Sequence, residues 1–245
     1  MTAPSLPLVV PSSSPLSRSD TAVMTDTPLT AAPATPLDLL AGPAFTRVVT
    51  ATVKEATPDV AVLAFGEESA HLPVTEFYPN RAWSLGGTYH LAATDAGVSP
   101  VQVSSNVDEF IEMLLQGVSP EVRDGRVRVM AVSRQVGIRS KVAVAATEPG
   151  VDPVGACLGR GANRVKAVSL MLLGERLDVV AYHSDPDRFL QNALAVAADR
   201  IEHQDDGTVN VFVPRHQIAA ARGGGNLNVV LASRLVGRRI QVVPA

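Results

Sequence analysis

Cysteine, aromatic residues, long apolar runs and net charge are all scarce in this chain. A single cysteine, Cys157, in 245 residues excludes a disulfide framework and any zinc site built on cysteines, and it predicts a reducing, cytoplasmic setting. Beside so many apolar neighbours it reads as a small buried hydrophobe. The five histidines, His71, His90, His183, His203 and His216, lack the close His/Cys/carboxylate spacing of a zinc motif. Aromatics make up 4% of the chain, which limits any binding mode that depends on many stacked bases. No apolar run approaches the roughly 18 residues that a bilayer span needs, so no membrane partner is expected. A Gly-x-Ser-x-Gly elbow, a Walker loop and a kinase signature are all missing, which predicts neither enzymatic activity nor a cofactor.

What is there is enough apolar material for real cores, at 46% of residues, and an uneven charge. The net charge is -3, yet residues 1–104 hold 4 Lys/Arg against 9 Asp/Glu, while residues 105–245 hold 17 against 15. The basic character belongs to the second part. It is too modest for strong non-specific binding to duplex DNA, which needs many phosphate contacts.

Residues 1–44 contain 8 of the 18 prolines, 12 Ser/Thr and one cation, Arg18. Such a segment cannot bury enough apolar surface to offset its ordering entropy and reads as a disordered tail. It lacks the basic n-region and long apolar core of a signal peptide. The featureless stretch before Met24 makes that residue a candidate translation start. Residues 45–104 then carry five short strand signals, at 47–53, 60–65, 70–72, 88–92 and 100–103, which fit a small OB-type β-barrel. Phe65, His71, Phe77, Tyr78 and Trp83 either fill its core or offer a face to a base. The acidic balance makes this module a weak RNA binder at most.

The remainder is a duplicated α/β unit. Asn106 is placed to cap a helix that Gly117 ends, and Phe110, Ile111, Leu114 and Leu115 form its apolar face. Strands at 126–132 and 141–145 follow, then Gly155-Ala-Cys-Leu-Gly-Arg-Gly-Ala-Asn-Arg-Val-Lys, a helix, Gly174 and a strand. The second copy opens at Asp185-Pro186, a cap and a first-turn proline. Its helix is expected to run to Ala198, followed by strands at 199–203 and 208–213. Beyond Pro214 come Gly223-Gly224-Gly225, a helix over 227–236 and a closing strand. Leu172-Leu-Gly-Glu-Arg-Leu-Asp-Val-Val recurs as Leu235-Val-Gly-Arg-Arg-Ile-Gln-Val-Val, which marks an internal repeat. Helix, two strands, helix, glycine turn, helix, strand is the order of a KH unit, whose glycine loop clamps single-stranded nucleic acid. Arg160, Arg164 and Lys166 crowd a helix start, where cations are unfavourable unless an anion offsets them.

These residues also carry a resemblance. Arg139-Ser-Lys-Val-Ala-Val, Gly155-Ala-Cys-Leu-Gly, Asp185-Pro186 with Phe189 and Asn192-Ala-Leu, Val213-Pro214, and Leu231-Ala-Ser-Arg-Leu with Gly237 resemble the bacterial transcription elongation, termination and antitermination factor NusA, in its segment of an OB barrel and two KH domains. The resemblance implies an α+β fold with a five-stranded OB-type barrel at 45–104 and two tandem type II KH domains at 105–183 and 184–245. It implies a cytoplasmic factor that holds nascent single-stranded RNA, with RNA polymerase and other transcription factors as partners. The family places a folded polymerase-binding domain before the barrel, where this sequence has residues 1–44, so a shortened paralogue or a divergent factor is expected. The family's Gly-x-x-Gly loop falls at Gly159, Arg160, Gly161 and Ala162, and again at Gly223, Gly224, Gly225 and Asn226. Alanine and asparagine stand where the family has its second glycine. The expected RNA contacts are those eight residues with Arg164 and Lys166, with Arg139 and Lys141 as supports from the strand, and with Arg222 and Asn228 flanking the second loop. Two other readings stay open: a degenerate KH pair acting as a protein-interaction scaffold, and RNA binding outside transcription, as in ribosome assembly.

Overall fold

The computed structural model describes residues 44–79, 81–95 and 97–245. The disordered tail expected over 1–44 falls outside them apart from its last residue, as does the candidate start at Met24. Five antiparallel strands come first: β1 (Phe45–Ala56), β2 (Val60–Phe65), β3 (Glu68–Pro73), β4 (Thr88–Thr94) and β5 (Val103–Ser104). They pair in the order β3-β2-β1-β4-β5 and curl into a half-barrel. Alternation drives the curl. Val49, Ala51 and Val53 of β1 and Ala61, Leu63 and Phe65 of β2 face a common core, and the β1–β2 register slips between Val53 and Glu55, bending the long first strand. The last strand starts later than the sequence suggests. Pro100 has no N–H to give to a ladder, and pairing with Thr94 begins only at Gln102.

The barrel's aromatics are core residues. Phe65, Phe77 and Tyr78 are buried, and the Phe77 ring meets Tyr78 at 5.4 Å, Trp83 at 5.5 Å and Tyr89 at 5.0 Å. Trp83 spends its indole N–H on the Thr57 carbonyl, 3.2 Å away. The stacking face considered from sequence is thereby withdrawn for Phe65, Phe77 and Tyr78; Trp83 is half-buried against the core and His71 is exposed on β3.

The first α/β unit comprises α1 (Glu109–Val118), α2 (Pro120–Arg123), β6 (Val127–Gln135), β7 (Arg139–Ala146), α3 (Pro153–Leu158), α4 (Asn163–Met171) and β8 (Arg176–Ala181). Asn106 does not cap α1. Its amide donates to the Thr75 carbonyl and ties the helix entrance to the barrel. Gly117 lies inside α1, which stops at Ser119, the residue that Pro120 forces into an extended conformation. The second unit repeats the order with α5 (Pro186–Leu194), β9 (Arg200–His203), β10 (Thr208–Val213), α6 (Ile218–Arg222), α7 (Leu227–Val236) and β11 (Arg239–Pro244). Asp185 caps α5 as expected, accepting from the Asp187 and Arg188 amides. The helix ends at Leu194 instead of Ala198, because Ala195 turns left-handed and the Gln191 side chain takes the Ala198 amide. In both units the middle strand runs antiparallel to the first and parallel to the last, as in β6-β7-β8 and β9-β10-β11.

The three parts pack as one body. Ala143 and Val180 of the first unit's sheet belong to the second unit's core, where α7 lies on β6 and β7. Leu173 and Val136 pack on the barrel core, and Arg81 donates to the Leu173 carbonyl at 2.9 Å. At the centre, the Arg134 guanidinium and the Glu175 carboxylate form a fully buried pair at 2.8 Å. Arg134 also donates to the Ser105 and Val107 carbonyls, while Glu175 accepts from Ser140 and the Gly137 amide. Four of the five Arg134 N–H groups have an acceptor, and such pairing is the condition for a buried ion pair to be tolerated.

Candidate nucleic-acid interface

The two glycine loops follow one backbone path. In the first, Asp152 caps α3 through the Val154 amide and Pro153 takes the first helical position, so α3 runs one and a half turns before Gly159 breaks it. Gly159 sits at φ 68°, ψ 175°, a region open essentially to glycine alone, and Gly223 sits at φ 68°, ψ 172°. Their amides close matching turns, Gly159 N–H to the Gly155 carbonyl and Gly223 N–H to the Ala219 carbonyl, both at 2.9 Å. Gly161 (φ 61°, ψ 26°) and Gly225 (φ 59°, ψ 27°) are both left-handed. So are Ala162 (φ 60°) and Asn226 (φ 61°), the residues that stand in place of a second glycine. The substitution to alanine has therefore not changed the loop's path. A left-handed residue with a Cβ costs roughly 1–2 kcal/mol, a cost that asparagine lowers by local hydrogen bonding.

Each loop delivers the chain into a helix whose first amide groups have no intrahelical acceptor, α4 in the first unit and α7 in the second. Around the first loop the expected cations divide. Arg160 is exposed at the loop tip and makes no ion pair among the described residues. Lys166 is exposed and folds back to the Gly161 carbonyl at 3.1 Å. Arg164 is committed to structure: it pairs with Glu121 at 2.8 Å and donates to the Ala156 carbonyl at the end of α3. Ser119 donates to the same carbonyl at 3.1 Å. Glu121 is held below its usual carboxylate pKa by hydrogen bonds from its own backbone and from Ser119, and by Arg164.

The strand cations stand apart from the loop. Arg139 donates to Asp178 at 2.7 Å, and Lys141, its side chain 1% exposed, reaches the same carboxylate at 3.2 Å. Burial pulls the Lys141 ammonium below its usual pKa, and Asp178 opposes that shift. Both are cross-strand ties between β7 and β8. At the second loop Asn228 is buried, its amide donating to the Leu194 and Ala221 carbonyls at 2.9 Å each. It occupies the position of Arg164 and does the same job, holding a carbonyl of the preceding helix. Arg222 is exposed and uses one N–H on the Val242 carbonyl at 3.1 Å. Together with Arg215, Ile218, Ala219 and residues 223–226 it lines an open groove beside the loop. Arg215 had no sequence signal beyond its place directly after Val213-Pro214. Arg234, on the far side of α7, turns to the Arg134 carbonyl and away from the loop.

Residues 105–182 match the family model described as the NusA-like first KH domain. Curated relatives extend the match. The transcription termination/antitermination protein NusA of Bacillus subtilis is 31% identical over 80% of this chain and 54% of its own length. Over their shared segment the chain is similar to NusA. NusA of Thermus thermophilus is 36% identical over 70% of this chain and 46% of its own, and NusA of Mycobacterium tuberculosis is 33% identical over 70% and 51%. The chain thus spans about half the length of the NusA proteins it matches. Among solved structures, one titled "Crystal structure of APE1850" covers 55% of this chain at 23% identity and a TM-score of 0.40, a likeness too loose to bear on fold or function. As for surroundings, no helix among the described residues is long and apolar enough to cross a membrane. No cluster of His, Cys, Asp and Glu among them could hold a metal ion.

Proposed function

We propose that this chain is an RNA-binding transcription factor of the NusA kind, which holds single-stranded nascent RNA and acts on elongation, pausing, termination or antitermination. In this reading residues 45–104 form an OB-type module, 105–183 the first KH domain and 184–245 the second. RNA polymerase and other transcription factors are its partners in the cytoplasm. One observation carries the reading: two loops of different sequence, 64 residues apart, keep one glycine-dependent backbone path ahead of a helix N-terminus. A path retained through Ala162 and Asn226 suits clamping a sugar-phosphate backbone, which approaches main chain more than side chains. The acidic barrel, with its aromatics buried, serves as a connecting module in this account.

The test is a pair of loop variants, Arg160→Asp with Gly161→Asp, and Gly224→Asp with Gly225→Asp. Asp tolerates the left-handed positions, and its charge repels phosphate. Both pairs together are expected to weaken binding to single-stranded RNA more than tenfold with an unchanged circular dichroism spectrum. Binding equal to wild type overturns the reading in favour of a protein scaffold. Co-purification with core polymerase checks the transcription role, and recovery without any polymerase subunit counts against it.

A further inference from the structure

The two units are alike in backbone and unlike in where their positive charge sits. Counted back from the first loop glycine, Val151 and Leu158 of the first unit stand where the second has Arg215 and Arg222. Val151 and Val154 pack partly into the first unit's core, and Asp152 caps α3 between them. That wall is apolar with one carboxylate, and its free cations, Arg160 and Lys166, lie in the loop and at the start of α4. The second loop is Gly-Gly-Gly-Asn, with no charge, and its cations have moved into the groove wall. Arg215 is exposed and unpaired among the described residues. Arg222 is steadied by the Val242 carbonyl with the rest of its guanidinium open, and both line the groove that ends at Gly223–Asn226.

We infer that the second unit's groove is a phosphate-holding site: Arg215 and Arg222 bracket the backbone of the bound strand there, while base discrimination falls to the apolar wall of the first unit. This rests on the RNA-binding reading above. The chemistry follows from the side chains. A planar guanidinium offers paired donors to phosphate oxygens and stays charged, so it contributes affinity without regard to sequence and in proportion to the counterions released. An apolar wall offers bases contact area and no phosphate partner. The tandem would then divide the work, with the second unit gripping the backbone and the first reading the bases.

The experiment measures the affinity of labelled short oligouridine and oligoadenosine for the full chain between about 50 and 200 mM KCl. Each of R215A and R222A is expected to lower the slope of log affinity against log salt by about 0.7, the value for one phosphate contact on a single strand, and to weaken both oligomers by the same factor. L158S is expected to leave the slope alone and narrow the difference between the two oligomers. R215A is decisive, since Arg215 has no structural partner to lose and the variant is expected to fold as wild type. A wild type that binds RNA while R215A keeps the full slope, or while R215A changes the preference between oligomers, overturns the division of labour and leaves RNA binding intact. No salt-sensitive binding by the wild type overturns the RNA reading itself.

Discussion

The two units share topology, register pattern and loop geometry, yet corresponding positions carry opposite chemistry. After the glycine that follows the post-loop helix, the first unit has Glu175, fully buried against Arg134, and the second has Arg238, exposed to water. After the loop, Arg164 and Asn228 both hold a carbonyl of the preceding helix, one through an ion pair and the other through a neutral amide. Backbone path is thus kept by a few glycines and by one donor beneath the loop, while charge can migrate between loop tip and groove wall. The first unit's buried pair has a further cause. That unit alone is packed on both sides, against the barrel and against α7, so its polar groups must be satisfied from within.

The largest effect separates those two positions. Glu175→Gln leaves Arg134 buried without its counter-ion and is expected to cost about 3–5 kcal/mol in urea unfolding, whereas Arg238→Gln is expected to change stability by no more than about 0.5 kcal/mol. Next come the glycines that open each loop. Gly159→Ala and Gly223→Ala both force a side chain into a glycine region at about 1–3 kcal/mol. The cost should be greater at Gly223, where a Cβ meets the Asn228 Cβ at 2.9 Å and its backbone nitrogen at 3.1 Å. At Gly159 its three nearest neighbours are side-chain atoms: the Asn163 Oδ1, which can turn aside, and the Arg164 Cγ and Cδ, which shift only by straining the Glu121 pair, so the gap between the two variants is narrow. Thermal midpoints of the two variants order them. Smaller still, Ala162→Gly is expected to stabilise by about 0.5–1 kcal/mol, and Asn226→Gly by less, since asparagine already tolerates the left-handed region.

The smallest effect concerns Cys157, whose counterpart is Ala221. Burial pushes its thiol up to about 11 from 9.0. The folded state therefore holds this proton more tightly than the unfolded chain. Its contribution to stability is complete below pH 9 and is lost as pH rises towards about 11. Cys157→Ala should remove that part of the alkaline decline. At pH 8 the native thiol should not react with a disulfide reagent until the protein unfolds.

Much of this was legible because the repeat constrains it. Periodicity and a glycine stop located the last helix of the second unit, and Asp185-Pro186 announced the start of its first through a local interaction of cap and first-turn proline, though not its end. The strand at 208–213 and the helix at 227–236 fall where the pattern puts them. What escaped depends on partners distant in sequence. Lys141 reads as a free cation until Asp178 is laid beside it by the parallel pairing of β7 and β8. Asn106 has the identity of a cap but is drawn to Thr75 by the barrel. Phe77 and Tyr78 follow a strand and precede a turn, so nothing local separates a core aromatic from an exposed one. Arg215 carries no motif, and only the folded groove shows it lining the same wall as Arg222.

One measurement bears most directly on the claim that these loops clamp single-stranded RNA. The chain is titrated, in the same buffer, with an unstructured RNA oligomer and with that oligomer annealed to its complement. The account predicts salt-sensitive binding to the single strand and much weaker binding to the duplex, whose backbone cannot follow the loop into the groove. Equal affinity for both, or affinity for neither, contradicts it.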